Sequence, residues 1–286
     1  MSLLDSTSAM ISKNKILILG LFVSTSFSQE VKWMSIGDLH NWYSAAGCEI
    51  ETGRTGQVSD QQDGLRYPAF YRVQDNQAAK GLWLGATNFY DPVVNKDYEY
   101  KVIHAGPRHL DIENETMPVD MTMDGKYDHP NVFVDGDPAT NLQYLDDVDN
   151  VDPSLPSDRR INNTVQTSIG VQMKRTIYAF SHPKHQNYHI QEYVFTNNGC
   201  FDADCNTSYE QTLEGFQVYL QYRYAISREG MVYDGNWLPQ SAAWGHNTMN
   251  DVIGEHPNAP SINDQFYDDG EIMRALFSWQ GYHSDA

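Results

Sequence analysis

The sequence has few basic residues, few cysteines and no apolar run long enough to cross a membrane. Its 19 lysines and arginines against 38 acidic residues give a formal net charge of -19. That balance argues against nucleic acid as a partner, because phosphates require a basic surface. The longest apolar run falls far short of the roughly 20 residues that a membrane-spanning helix needs. Divalent cations suit such an acidic chain, although acidic surfaces also serve solubility alone.

A secretory signal peptide is predicted over residues 1–28. Two lysines precede the apolar run 16–23, and small residues at Ser26 and Ser28 place the cleavage site just before Gln29. The alternative is that this run forms a core strand or helix. Because no cysteine follows the run, no lipid anchor is predicted, and no membrane span remains after cleavage. We therefore expect the protein to be secreted, in the extracellular space or on the outer cell surface.

The three cysteines suit an exported chain. Cys200 and Cys205 enclose four residues in a loop, a spacing that favours a disulfide closing a small hairpin loop. Two free thiols are the alternative, whereas a zinc site is disfavoured because no third or fourth thiolate lies nearby. Cys48 remains and is expected to be a small buried hydrophobe.

Period-two alternation predicts an all-β fold, an antiparallel β-sandwich with long acidic loop insertions. A strand from residue 216 to 226 has one apolar face, and His189–Thr196 has bulky residues on both faces, which predicts a central strand. Val165–Met173 is interpreted as one strand with a single apolar face. Arg175 lies inside this strand region, and ion pairing with Glu192 and Arg223 would explain a charge there. The apolar face of the first strand consists of Phe216, Val218, Leu220, Tyr222, Tyr224 and Ile226.

One short helix is predicted near the N-terminus. Asp38 is a suitable N-cap, and Gly47 would end the helix. The i, i+3, i+4, i+7 spacing that predicts it is formed by Leu39, Trp42, Tyr43 and Ala46.

The remaining chain divides into an N-terminal β-rich segment, residues 29–106, an acidic loop excursion, 107–164, and the main β-sandwich segment, 165–286. The excursion holds thirteen acidic against four basic residues and lacks periodicity, so we expect a long ordered loop packed on the sheet. Residues 29–286 could also form one domain. Because no closing strand is evident before Ala286, the chain is expected to be a fragment.

The acidic excursion contains a candidate calcium site. Asp120, Thr122, Asp124 and Asp128 take positions 1, 3, 5 and 9 of a calcium-binding loop, with glycine at position 6. Position 12 is Asn131, so a true EF-hand is not expected. The site is predicted to hold Ca²⁺, and the alternative is a solvated acidic loop.

No motif identifies a catalytic site, because HExxH, GxSxG, phosphate-loop and GxGxxG patterns are all missing. Two functions remain: a non-catalytic protein that binds an extracellular polysaccharide or another surface component, and a glycoside hydrolase-like enzyme or its accessory domain. The first is favoured. Glycoside hydrolysis needs two carboxylates about 5–10 Å apart, which a chain this acidic neither identifies nor excludes. Sugar-stacking residues or core residues are the alternative roles for Trp83, Tyr90, Tyr98 and Tyr100.

Two segments carry a resemblance to a known group of proteins. The run EYVFTNNG, an acidic loop and LEGFQVYLQYRYAISREG follow one another, and GHNTMNDVIGE comes later. From about Trp33 onward the chain resembles large secreted proteins of Bacteroidota-like bacteria, many of which carry a C-terminal sorting domain for type IX secretion. The resemblance implies a β-sandwich surface protein with no established reaction. No sorting domain is present in this sequence.

Overall fold

The computed structural model describes residues 30–49, 65–70, 76–105, 115–129, 133–138, 146–224, 232–233, 236–237, 248–254 and 274–280. Every regular element in these ranges is a β-strand, which confirms the all-β prediction. No helix in these ranges is long and apolar enough to cross a membrane. The predicted signal peptide lies outside the described residues.

Sixteen strands form the described part of the chain, and ten of them form two sheets or the hairpin β1–β2. A five-stranded sheet has the order β11-β10-β9-β5-β8, and a three-stranded sheet has the order β12-β3-β4. All pairings are antiparallel except that of β5 with β8. The strands are β1 Val31–Met34, β2 Asn41–Ser44, β3 Gln77–Asp91, β4 Lys96–Ala105, β5 Thr116–Gly125, β6 Phe133–Val134, β7 Asp137–Pro138, β8 Asn150–Val151, β9 Arg159–Thr167, β10 Val171–Ala179, β11 His189–Asn197, β12 Glu214–Tyr224, β13 Val232–Tyr233, β14 Asn236–Trp237, β15 Thr248–Gly254 and β16 Arg274–Gln280.

The main hydrophobic core contains side chains from both of the larger sheets. On β3, alternate residues point into this core, because side chains of a strand alternate between its faces. Asn88 interrupts the alternation with a φ of 49°, after which Phe89 again points into the core at 1% exposure. The buried members of the core are Leu82, Leu84, Ala86, Phe89, Ile103, Val165, Ile169, Val171, Met173 and Phe201.

The predicted N-terminal helix is wrong, since residues 41–44 form strand β2 and pair with β1. Trp42 and Tyr43 are buried at 4% and 1% exposure although they are neighbours in sequence. Both faces of this strand are covered, so it carries apolar residues on both sides. Such residues mimic the spacing of an amphipathic helix over a few positions.

The interpretation of Val165–Met173 as one strand is also wrong, because the segment is a hairpin of β9 and β10. Gly170 takes a φ of 73°, a conformation that glycine adopts without steric cost, and the chain reverses there. Met173 then pairs with Val165. The apolar residues on the two sides of the turn therefore share one core, as they would on a continuous strand.

Two strands are less buried than their patterns predict. β11 lies at the edge of the five-stranded sheet, not at its centre, and Ile190 and Val194 are 46% and 49% exposed. β12 forms as predicted, but Val218 and Leu220 are each 41% exposed. An apolar alternation reports the type of element and not the depth at which it is buried.

Arg175 is not ion-paired with Glu192. Its buried guanidinium donates from Nη2 to the carbonyl oxygen of Ser44 at 2.8 Å and to Oδ1 of Asn163 at 3.0 Å. Glu192 is exposed and lies opposite Thr176, one position out of register. The side chain of Arg223 lies outside the described residues. Neutral acceptors therefore replace the predicted carboxylate partner.

The stretch expected to be an acidic loop contains regular structure. β5, β8 and most of β9 lie between residues 107 and 164, and β5 and β9 pair along their length. β5 is amphipathic only over its second half, where Met121 and Met123 pack into a second core cluster. Three consecutive exposed residues at a register shift, Pro118 to Asp120, interrupt the alternation by which a strand is recognised.

Candidate functional site

An exposed aromatic surface lies on one side of the three-stranded sheet. Tyr219 of β12, Trp83 of β3 and His104 of β4 are aligned by the strand registers and form one row across the sheet. Tyr219 is 59% exposed and Trp83 is 39% exposed. Two residues of β4 on the same side, Tyr100 and Val102, are 68% and 52% exposed. We call these five residues the aromatic face.

The local sequence Gly81-Leu82-Trp83-Leu84-Gly85 explains how a tryptophan is exposed in the middle of a strand. Leu82 and Leu84 are buried in the core, so Trp83 must point to the opposite side. Gly81 and Gly85 lie two residues before and after Trp83, on the same face of the strand. At Gly81, a Cβ atom would lie only 3.2 Å from the indole Nε1 of Trp83, so the indole leans over this glycine. A larger residue there would displace the ring.

Three rings of the aromatic face adjoin one another. The Trp83 and His104 centroids are 5.5 Å apart at 44°, and the Trp83 and Tyr219 centroids are 6.5 Å apart at 89°. Glu115 holds His104 in position, with an Oε2 atom 3.1 Å from Nδ1 and 3.0 Å from the backbone nitrogen. A row of adjoining rings on a sheet can stack against the apolar face of a sugar.

The four aromatic residues considered for sugar stacking separate into two groups. Trp83 and Tyr100 belong to the aromatic face. Tyr98 packs against the main core and is flanked by Lys96 and Lys101, while Tyr90 contacts Tyr209 at 5.0 Å. Tyr219 and His104 were not among the residues considered for sugar stacking. Tyr219 could have been found from the alternation of β12, because it lies opposite the apolar face.

A polar cleft of about 300 Å³ adjoins β2, β3, β11 and β12. Its volume lies at the lower end of the roughly 300–1,000 Å³ range of small-molecule sites. The cleft differs from the aromatic face because its floor is charged and buried. Its lining includes Asn41, Glu49, Lys80, His189, Tyr222 and Tyr224.

Three buried polar residues meet on the floor of the cleft. Lys80 Nζ and Asn41 Nδ2 both contact the same oxygen of Glu49, Oε2. The other oxygen, Oε1, accepts a hydrogen bond of 2.9 Å from Gln191 Nε2. Asn41, Glu49 and Lys80 are 1%, 4% and 5% exposed. We call Asn41, Glu49 and Lys80 the buried triad.

Aromatic rings flank the triad. Lys80 Nζ lies 5.6 Å from the ring centroid of Tyr222 and 5.4 Å from that of Tyr224, and these two rings stack at 5.7 Å and 6°. Burial raises the pKa of both hydroxyls, so both tyrosines keep their protons at neutral pH. The ammonium group therefore contacts two neutral rings and the carboxylate of Glu49.

The charges of the cleft do not match those of a glycoside hydrolase. Burial alone would raise the pKa of Glu49, but the charge of Lys80 and the hydrogen bonds from Gln191 and Lys80 lower it. A glycosidase acid needs the opposite shift and a second carboxylate. Among the described residues that line the cleft, Glu49 is the only carboxylate. Burial lowers the pKa of His189 to about 4, so its imidazole is neutral at pH 7.

The structure does not bring the four candidate calcium ligands together. Asp120, Thr122 and Asp124 lie on β5, where an extended backbone separates the first from the third by roughly 13 Å. The carboxylate of Asp124 accepts hydrogen bonds from Arg160 Nη2 at 2.8 Å and from the side-chain amides of two asparagines. Asp128 accepts a bond from the adjacent backbone nitrogen of residue 129. The described residues hold no group of three or more histidine, cysteine or acidic residues placed for a metal. Calcium binding in this stretch stays a prediction.

The loop that follows β11 contains two of the three cysteines. Cys200 and Cys205 form a disulfide with Cα atoms 4.8 Å apart, and Cys48 is free and buried. Asp202 organises the loop between the bonded pair by accepting hydrogen bonds from backbone nitrogens, including that of Thr207.

Comparison of the chain with protein-family models, curated proteins and solved structures gives no match.

Proposed function

We propose that this protein is a secreted or cell-surface β-sandwich that binds an extracellular polysaccharide without cleaving it, and that the aromatic face is the binding surface. The observation that carries the proposal is the exposed row Tyr219–Trp83–His104, with the indole leaning over a glycine. Buried aromatic residues need no function, whereas a contiguous exposed row is an unusual use of large apolar side chains.

Three properties of this surface suit a polysaccharide. The residues lie on a sheet and not in a deep pocket, so an extended chain can pass over several rings. Gln217 and Gln221 are exposed and lie two residues before and after Tyr219 on the same face of β12, where their amides can hydrogen-bond to sugar hydroxyls. The packing of both large sheets against one core supports the sandwich architecture. In that architecture the aromatic face lies on a rigid sheet.

Affinity electrophoresis and pull-down on insoluble polysaccharides test the proposal, with β-glucans, xylan, chitin and alginate as probes. Trp83→Ala and Tyr219→Ala should each weaken retention about tenfold, since a stacked aromatic ring contributes on the order of 1–1.5 kcal/mol. Phe133→Ala is the matched control, because Phe133 is 61% exposed on a different hairpin. Retention that both face variants leave unchanged would refute the role of the aromatic face.

The same incubations distinguish binding from catalysis. Reducing ends released from a retained polysaccharide by the purified protein would show that the protein is an enzyme. Secretion is tested separately by expression in a Gram-negative host, where the mature chain should begin near Gln29. Recovery of the intact N-terminus in the cytoplasm would contradict the extracellular assignment.

A further inference from the structure

The buried triad contains the groups needed to form a covalent bond between two side chains. Lys80 lies on β3 and supplies an amine, Asn41 lies on β2 and supplies a carboxamide, and Glu49 contacts both through one oxygen atom. Two nitrogens on one oxygen are necessarily close to each other. We propose that Lys80 Nζ and Asn41 Cγ become joined by an intramolecular isopeptide bond, with Glu49 transferring the protons.

The reaction balances without an oxidant or a cofactor. Lys80 first gives a proton to Glu49, which leaves a neutral amine and a carboxylic acid. The amine attacks Asn41 Cγ, Glu49 relays a proton from Nζ to Nδ2, and the bond from Cγ to Nδ2 breaks to release ammonia, which then takes the proton that Glu49 received from Lys80. The products are a secondary amide and ammonium, and Glu49 ends as the carboxylate with which it began.

The surroundings supply what the steps need, although the ion pair with Lys80 keeps Glu49 as a carboxylate before the first proton transfer. An amine is nucleophilic only when neutral, and burial disfavours the charged form of lysine. Lys80 is 5% exposed, so transfer of its proton to Glu49 replaces two buried charges with two neutral groups. Oδ1 of Asn41 has no hydrogen-bond partner among the described residues, although Asn41 is 1% exposed. Because carboxamide oxygen and nitrogen exchange places by a flip of the group, this oxygen can instead accept the proton of neutral Glu49 and polarise Cγ.

An ordinary buried ion pair is the alternative to this bond. Glu49 and Lys80 alone would be explained by mutual compensation of charge. The carboxamide of Asn41 on the same oxygen is not needed for that compensation, because Gln191 already satisfies the other oxygen. The proposed bond would tie the β1–β2 hairpin to the three-stranded sheet, and would restrict the unfolded chain as a disulfide does.

Peptide mapping of the purified, folded protein tests the proposal directly. Trypsin should not cleave after Lys80, and the peptide 33–54, which contains Asn41, should be joined to the peptide 73–96. The joined product should weigh about 17 Da less than the sum of its parts, the mass of the lost ammonia. Separate peptides 33–54, 73–80 and 81–96 after prolonged incubation at neutral pH would overturn the proposal.

Intact mass alone is not sufficient, because cyclisation of an N-terminal Gln29 also releases ammonia. Lys80→Met and Glu49→Gln should abolish the joined peptide, and the bond-free chain should melt several degrees lower. The matched control is Lys101→Arg, which changes a part-buried lysine that pairs with Asp91 at 3.0 Å. Lys101→Arg should retain the joined peptide. If Lys80→Met fails to fold, the map of the unaltered chain still decides the question.

Discussion

Lowering the pH from about 6.5 to 4 should destabilise the protein through His189. Burial is the main cause of the low pKa of this imidazole, and the charge of Lys80 adds to it, whereas Glu49 opposes it. The pKa falls from an ordinary value of 6.5 to about 4 in the folded protein. Between these two values the unfolded chain binds a proton at this position and the folded chain does not.

The sign and size of the effect follow from this difference. Because the unfolded state binds more protons in this window, the free energy of unfolding falls as the pH falls. The contribution is complete above pH 6.5 and is lost by pH 4. A difference of 2.5 pKa units at about 1.4 kcal/mol each gives an upper limit of about 3.5 kcal/mol, of which about 3 kcal/mol is lost between pH 7 and pH 4. That is a large fraction of the roughly 5–15 kcal/mol that stabilises a typical domain.

Urea denaturation at fixed pH values between 7 and 4 measures the effect, with His189→Gln as the comparison. Glutamine does not titrate, and its amide can still meet the hydroxyl of Tyr43, which lies 2.8 Å from Nδ1 of His189. His40, whose pKa burial also lowers, is present in both proteins and cancels in the difference. The variant should lose about 3 kcal/mol less than the natural sequence over this range. Parallel losses in the two proteins would refute the reasoning.

Three further predictions concern the disulfide, the core and calcium. Non-reducing peptide mapping should find Cys200 linked to Cys205. The third, buried cysteine should resist alkylation until the protein unfolds, because burial raises its pKa to about 11. Alkylation of all three cysteines without reductant would contradict both expectations. Ile177→Ala should cost about 2–5 kcal/mol in urea denaturation, because this side chain is fully buried, while Val194→Ala on the exposed edge strand should change stability by less than about 0.5 kcal/mol. Millimolar calcium is predicted to raise the melting temperature by a few degrees and to protect the acidic stretch from proteolysis, and Asp124→Ala should remove both effects; equal protease sensitivity in calcium and in chelator would show that the stretch binds none.

Periodicity was sufficient to predict the class of fold, because the alternation of apolar and polar residues that marks a strand is visible within the sequence of that strand alone. β12 was predicted from alternation alone. The helix at residues 38–46 was predicted wrongly because β2 is covered on both faces, and a doubly covered strand has no polar face to reveal its period. β5 was missed for a different reason, since Pro118, Val119 and Asp120 are consecutive exposed residues at a register shift, which interrupts the alternation of the strand.

The candidate sites were harder to predict because their members come from distant strands. Trp83 was considered as a stacking residue, but its partner Tyr219 is 136 positions away and meets it only through the register of β12 with β3. No pattern among neighbouring residues in the sequence predicts that strand register. The geometry of a surface site therefore required the sheet order, which period-two alternation does not supply.

One local feature of the sequence does indicate the buried triad. Lys80 lies on the same face of β3 as Leu82 and Leu84, so the alternation that predicts a core face also assigns a lysine to it. A strand rarely tolerates a buried ammonium group without a partner, because an uncompensated buried charge is costly. A lysine at a core position therefore predicts a carboxylate on another element, and here it is Glu49. That inference identifies the charge partner but not the carboxamide, since neither the fold nor the ion pair requires Asn41 on the same oxygen, which is why we assign it a chemical role.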